Sequence, residues 1–130
     1  MRERTSPEAA RPLSGVRVLL AEDEFFIALE LRDQVESEGG IVPYDTVRSC
    51  EEACALFGNA EVEIAVLDVM LDDGEVFDAA DTLRQRGIPI VFHSGHAQPR
   101  STKERFPGSA WLEKPSDQAE LSRVLQRALK

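Results

Sequence analysis

No stretch of this sequence approaches the roughly 18 consecutive apolar residues that a bilayer-spanning helix needs. The N-terminal segment MRERTSPEAARPLSG also lacks the apolar centre of a secretion signal. Both absences predict a cytoplasmic protein that meets no membrane. Basic residues are in the minority, 15 against 24 acidic, for a net charge of −9. That balance argues against nonspecific nucleic-acid binding, which requires a basic face. Cysteine is scarce: Cys50 and Cys54 are the two in the chain. Their C-x-x-x-C spacing fits neither a zinc pair nor a thioredoxin-type motif. Cys50, Ala53, Cys54 and Phe57 recur at helical spacing, so both thiols are expected as inert core residues. There is no internal repeat. What is present is an ordinary globular composition, 130 residues with 42% hydrophobic and 30% charged, enough for one domain around one core.

Residues 1–14 carry two prolines and no periodicity, and they read as a mobile leader to a domain over 15–130. Beyond them the pattern alternates. Apolar runs at VRVLLA (16–21), VEIAVLD (62–68), IPIVFH (88–93) and SAWLE (109–113) predict strands. IVPYDTV (41–47) predicts a weaker one, confined to an edge because Pro43 has no N–H to donate. Between them lie helical faces. Ile27, Ala28, Leu31 and Val35 form one, stopped at Gly39-Gly40, and Val76, Ala79, Ala80 and Leu83 form another after Gly74. Leu121, Val124, Leu125 and Ala128 form the last, capped by Ser116 or Asp117. Ser49-x-x-Glu52 predicts a capping box at the head of the cysteine helix. SGHAQPRSTKERFPG (94–108) shows no apolar face, so a helical turn or two near 101–106 is the most it supports. Strands alternating with helices in this way predict an α/β fold around a parallel sheet.

The chemistry is concentrated at strand ends. In IAVLDVMLDDG (64–74) a run fit for burial terminates on Asp68, although a carboxylate in an apolar setting costs several kcal/mol unless something compensates it. The first strand ends in AEDE, which places Glu22 and Asp23 at its C-terminal edge. Ligands of open parallel sheets bind beyond the strand C-termini. If the first and third strands are neighbours, three carboxylates meet in one cleft. At about 4 Å and an effective dielectric near 20, each pair repels by about 4 kcal/mol, so the cluster calls for a counter-charge. A hard divalent cation with oxygen ligands, Mg2+ first, answers it. Ser94 ends the fourth strand and Lys114 follows the fifth. A cation, a lysine and a hydroxyl around a carboxylate can bind a phosphoryl group and let the carboxylate attack phosphorus. Asp72 and Asp73 read as solvated loop residues. The calcium-loop pattern fails, since Asp73 stands where that loop needs glycine. Around Ser94, Phe92 and His96 occupy the glycine positions of a G-x-S-x-G elbow, which excludes that nucleophile.

VLLAEDE, IAVLDVMLDDG, IPIVFHSGH and WLEKP, in this order and spacing, resemble the receiver domains of bacterial two-component response regulators. The resemblance implies a flavodoxin-like five-stranded parallel sheet in the order 2-1-3-4-5, with helices on both faces. VFHSGH is similar to the FATGY stretch of a subgroup of stand-alone receivers, whose fourth helix is short or irregular. By resemblance, Asp68 is the phosphoacceptor. Glu22, Asp23 and Asp68 hold Mg2+ together with the backbone carbonyl of Met70. Ser94 is the switch hydroxyl, Lys114 contacts the phosphoryl group, the Lys114–Pro115 bond is cis, and Gly95 keeps the approach to Asp68 open. Trp111 stands where the family has a tyrosine or phenylalanine that rotates as a switch. Met70 and His96 are placed to modulate the phosphoryl lifetime, and His93 is expected to pack under the sheet's end.

The function implied is that of a single-domain phosphoacceptor and not an enzyme. It is charged by a sensor histidine kinase or a histidine phosphotransfer protein, and it signals to a protein partner or shuttles phosphate onward. A monomer or weak dimer is expected. Two alternatives stand beside it: a pseudo-receiver scaffold that takes no phosphate, and an Mg2+-dependent phosphatase with an aspartyl nucleophile. The phosphatase needs D-x-D, and here Met70 occupies the second aspartate position.

Overall fold

Valine, leucine, isoleucine and phenylalanine make strands that stay dry on both faces, and three such runs, with a half-buried fourth strand at their edge, build the centre of this molecule. The structure, a computed structural model, describes residues 11–130. In chain order the strands and helices are β1 (Val18–Ala21), α1 (Phe25–Ser37), α2 (Cys50–Leu56), β2 (Ile64–Asp68), β3 (Met70–Leu71) and β4 (Gly74–Glu75). They continue with α3 (Phe77–Gln85), β5 (Ile90–Ser94), α4 (Arg100–Arg105), β6 (Ala110–Glu113) and α5 (Gln118–Ala128). The main sheet is parallel, in the order β1-β2-β5-β6, and β3 and β4 form a small antiparallel pair beside it.

Alternation along the strands divides the core in two. Leu19, Leu67 and Phe92 point to one side and meet Ala53 and Phe57 of the α2 region, Ala80 and Leu83 of α3, and Phe106 beyond α4. Leu20, Val66 and Val91 point to the other and meet Leu31 and Val35 of α1 and Leu121 and Leu125 of α5. This is the sandwiched sheet that crossover helices produce. The short α4 is fastened by Arg105, which reaches Asp78 (2.8 Å) and Asp81 (2.6 Å) of α3. At the end of α1, Gly39 takes φ +92°, and a Cβ on Gly40 would lie 2.6 Å from Val35 Cγ1, so the paired glycines stop the helix as the sequence predicted.

Four expectations need correction. The second strand of a five-stranded sheet is reduced to two parallel bridges on the outer side of β1, Arg17 with Ile41 and Ala21 with Val47. Ile41 N–H donates to Val16 O (2.7 Å) and Val47 N–H to Leu20 O (2.9 Å). Between those rungs Pro43 has no donor to continue the ladder. The leader expected over 1–14 lies mostly outside the described residues, but residues 11–14 belong to the folded body. Leu13 is 0% exposed, and its N–H donates to Glu38 O (2.8 Å). Cys54 is exposed and Cys50 half-buried. A helix of seven residues buries a narrow stripe, and here the stripe runs through Ala53 and Phe57. Asp73 is not merely solvated. Its carboxylate accepts from the N–H groups of Cys50 (2.6 Å) and Glu51 (3.2 Å), capping α2 from across the loop.

The capping predictions hold with one change. Ser49 Oγ accepts from Glu52 N–H (3.0 Å), but the Glu52 carboxylate turns back to Arg48 N–H rather than to Ser49. Asp117 and Glu120 make the full reciprocal box at the start of α5.

Candidate functional site

The register of the sheet decides where the strand ends fall. Ala21 stands beside Leu67, so Glu22 emerges next to Asp68, and Asp68 is itself paired with His93 and His93 with Leu112. Parallel partners send their side chains to the same face. Glu22, Asp68 and His93 therefore form one row across the C-terminal edge, with Lys114 two residues beyond Leu112 on the same side.

Glu22 is 0% exposed and lies deepest. Its Oε2 accepts from the N–H of Glu24 (3.0 Å), and Lys114 Nζ lies 3.0 Å from its Oε1. The same ammonium is 3.1 Å from Asp68 Oδ2. Asp68 Oδ1 accepts from the N–H of Met70 (3.3 Å), a short side-chain turn that bends the chain out of β2. Carboxylate oxygens of Glu22, Asp23 and Asp68 lie within 4.8 Å of one another. The end of β6 is tied to the end of β5 by Lys114 N–H donating to Ser94 O (2.7 Å), which carries the ammonium to the carboxylates.

Above this row opens a cavity of about 720 Å3 whose lining includes Asp23, Asp68, Met70, Ser94, Trp111 and Lys114. Ser94 is buried and its Oγ accepts from His96 N–H (3.2 Å). The indole N–H of Trp111 donates to His96 O (2.8 Å), fastening the β5–α4 loop to β6. His96 and the exposed Met70 sit at the cavity's rim. Gly95 lines the same cavity, and a Cβ there would meet no protein atom within 4 Å. The Lys114–Pro115 bond is cis, as the resemblance implied.

The electrostatics follow from burial. Loss of water pushes the Glu22 carboxyl up to about 7. The Glu24 N–H and Lys114 oppose that rise, and the nearby Asp68 adds to it. Burial works against the Lys114 ammonium too, but its contacts with Glu22 and Asp68 outweigh that and leave its pKa raised. Burial, then the Lys114 charge, depress His93 to about 4, so it is neutral at pH 7. The donor set suits a hard divalent ion: all oxygen, clustered, and including a carboxylate buried away from water.

Thus the structure gathers Glu22, Asp23, Asp68, Ser94 and Lys114 at one edge, with Met70, His96 and Trp111 around the cavity. The sequence of this whole edge fits one family: that of the response regulator receiver domain, which matches residues 18–126. The chain belongs to the response regulator receiver domain family. Among curated proteins the receiver is 30% identical to the phyllosphere-induced regulator PhyR of Methylorubrum extorquens over 128 residues, 94% of this chain and 48% of that one. It spans about half the length of that relative. Among solved structures, a response regulator receiver protein from Sinorhizobium medicae matches with TM-score 0.78 and 28% identity, covering 88% of this chain and 94% of that one. The response regulator PhyR from Brucella abortus matches with TM-score 0.75 and 26% identity, covering 94% of this chain and 50% of that one.

One member of the row is undervalued by sequence reasoning. The pattern makes His93 a packing residue, but its Nε2 lies 3.0 Å from Ser116 Oγ in the loop that carries Lys114. The strand alternation alone places residue 93 on the face of Val91. Its neighbours on that face require the register.

Proposed function

We propose that the receiver takes a phosphoryl group onto Asp68 from the phosphohistidine of a sensor kinase or phosphotransfer protein. The observation that carries this reading is the Lys114 ammonium held between Glu22 and Asp68 at the mouth of the cavity. An Asp68 oxygen attacks phosphorus, the donor's N–P bond breaks, and the leaving imidazole takes up a proton. Asp68 is presented by the end of a rigid, buried strand, which fixes the attacking oxygen. Lys114 pairs with the incoming phosphoryl oxygens, and the Ser94 hydroxyl supplies a hydrogen bond once it turns from His96 N–H. Glu22, Asp23, Asp68 and the Met70 carbonyl would hold Mg2+. When bound, this ion supplies positive charge against the phosphoryl oxygens. Signal leaves through the β5–α4 loop, because movement of Ser94 pulls on His96 and the His96 carbonyl is tied to Trp111. A protein partner reads the surface around β5, β6 and α5, or the phosphoryl group passes onward.

Incubation with acetyl phosphate, with and without Mg2+, followed by intact-mass measurement tests the proposal. The expected result is a metal-dependent gain of one phosphoryl group that Asp68→Asn abolishes. An unmodified wild-type protein would favour a scaffold, and sustained turnover of assorted phosphoesters would favour a phosphatase; either overturns it.

A further inference from the structure

We propose that His93 is the positioning residue for Lys114: its imidazole, fixed in β5, grips Ser116 and so holds the loop that carries the ammonium. The consequence for phosphoryl uptake rests on the receiver reading above, whereas the grip belongs to the metal-free fold.

Lysine is a poor choice for a placed charge, since its four-carbon stem loses much rotamer freedom when it is pinned. The reach of Nζ to two carboxylates at once therefore depends on where the backbone of residue 114 is held. On its N-terminal side the loop is tied by Lys114 N–H to Ser94 O. On its C-terminal side the tie is Ser116, where His93 Nε2 lies 3.0 Å from the hydroxyl and Gln34 Nε2 of α1 approaches the carbonyl at 3.5 Å. Asp117 then opens the α5 cap, so Lys114, Ser116 and Asp117 are each tied. His93 is 3% exposed, and its Nδ1 has no partner among the described residues. An unpaired imidazole nitrogen is a costly occupant of a core position that leucine or valine would fill as well. The hydrogen bond to Ser116 is what such a residue provides and an aliphatic one does not. Its place in the row beside Asp68 puts that bond two residues along the chain from the lysine that reaches Asp68.

Two readouts test the proposal. The first is the rate of phosphorylation by acetyl phosphate at saturating Mg2+. The second is the 15N signal of the Lys114 ammonium in metal-free protein, where two carboxylates protect it from solvent. His93→Leu and Ser116→Ala should each slow phosphorylation by about tenfold, the scale of one lost hydrogen bond. His93→Gln, which keeps a hydrogen-bonding group, should restore most of the rate. In a Lys114→Ala background, His93→Leu should change nothing further, because both act through the same charge. The ammonium signal should be lost in His93→Leu and kept in His93→Gln. An equal slowing by His93→Leu with and without Lys114, or an unchanged ammonium signal in His93→Leu, overturns the proposal. If wild-type protein takes no phosphoryl group, the phosphoacceptor reading is what fails, and the ammonium signal alone decides the role of His93.

Discussion

Replacing Lys114 with methionine keeps the aliphatic stem and deletes the charge. An ammonium 3.0 Å from a carboxylate gains about 5 kcal/mol at an effective dielectric near 20, so a large penalty would be expected at first sight. The penalty is capped, because Glu22 can escape by taking a proton. Its pKa stands at about 7 against an ordinary value of 4.5. A carboxyl raised in this way contributes stability that is complete below about pH 4.5 and lost as pH rises through the folded-state value. In the wild type that loss totals about 3 kcal/mol and levels off once Glu22 is ionised in both states. Without the ammonium the folded-state pKa climbs further, and stability goes on falling by about 1.4 kcal/mol per pH unit. His93, depressed to about 4, is neutral in the folded state across this range, and the slope from its unfolded-state titration near pH 6.5 is common to both proteins and cancels in their difference. Urea denaturation without divalent cations, run from about pH 6.5 to 9, should show wild type and Lys114→Met diverging above pH 7, by about 2–3 kcal/mol at the alkaline end. A gap that stays constant or narrows over this range would refute the argument that Lys114 is what keeps Glu22 charged.

Three further outcomes are expected. Phe92 is fully buried and meets the rings of Phe77, Phe106 and Trp111 at 5.5, 5.1 and 5.9 Å, so Phe92→Ala should cost about 3–5 kcal/mol in chemical denaturation; less than about 1 would contradict the packing described. Asp117→Ala removes one half of the α5 capping box and should lower stability by about 1 kcal/mol. A thiol reagent at mild alkaline pH should label the exposed Cys54 and spare Cys50. Burial, then Asp73, hold the Cys50 thiol up at about 11, and mass spectrometry after unfolding should show the second site opening.

The site was largely legible in the sequence because it sits where strands stop. A strand's last residue reaches the sheet's C-terminal edge whatever the details of packing, so Glu22, Asp68, Ser94 and Lys114 needed only correct strand boundaries and neighbours. Features that depend on the path of a loop were not legible. A single apolar residue such as Leu13 has no period, so nothing in the sequence distinguishes it from a leader. Asp73 reaches the head of α2 because the chain folds back through β3 and β4, a pair too short to leave an alternation. The 41–47 segment carried a strand's composition, and one missing donor at Pro43 decided against a continuous ladder. The His93–Ser116 contact required knowing which residue of β5 stands beside Asp68, and hydrophobic pattern does not supply that register.

The interrupted margin beside β1 also bears on how copies of this protein behave when crowded. A strand from another molecule that sought to extend the sheet there would find two isolated rungs and a proline, not a row of waiting donors and acceptors. Of the two margins that the described residues give the four-stranded sheet, the far one, where β6 has a single neighbour, offers a conventional place to add a strand. Growth of the four-stranded sheet by strand addition is thereby steered to the β6 side, away from the margin beside β1.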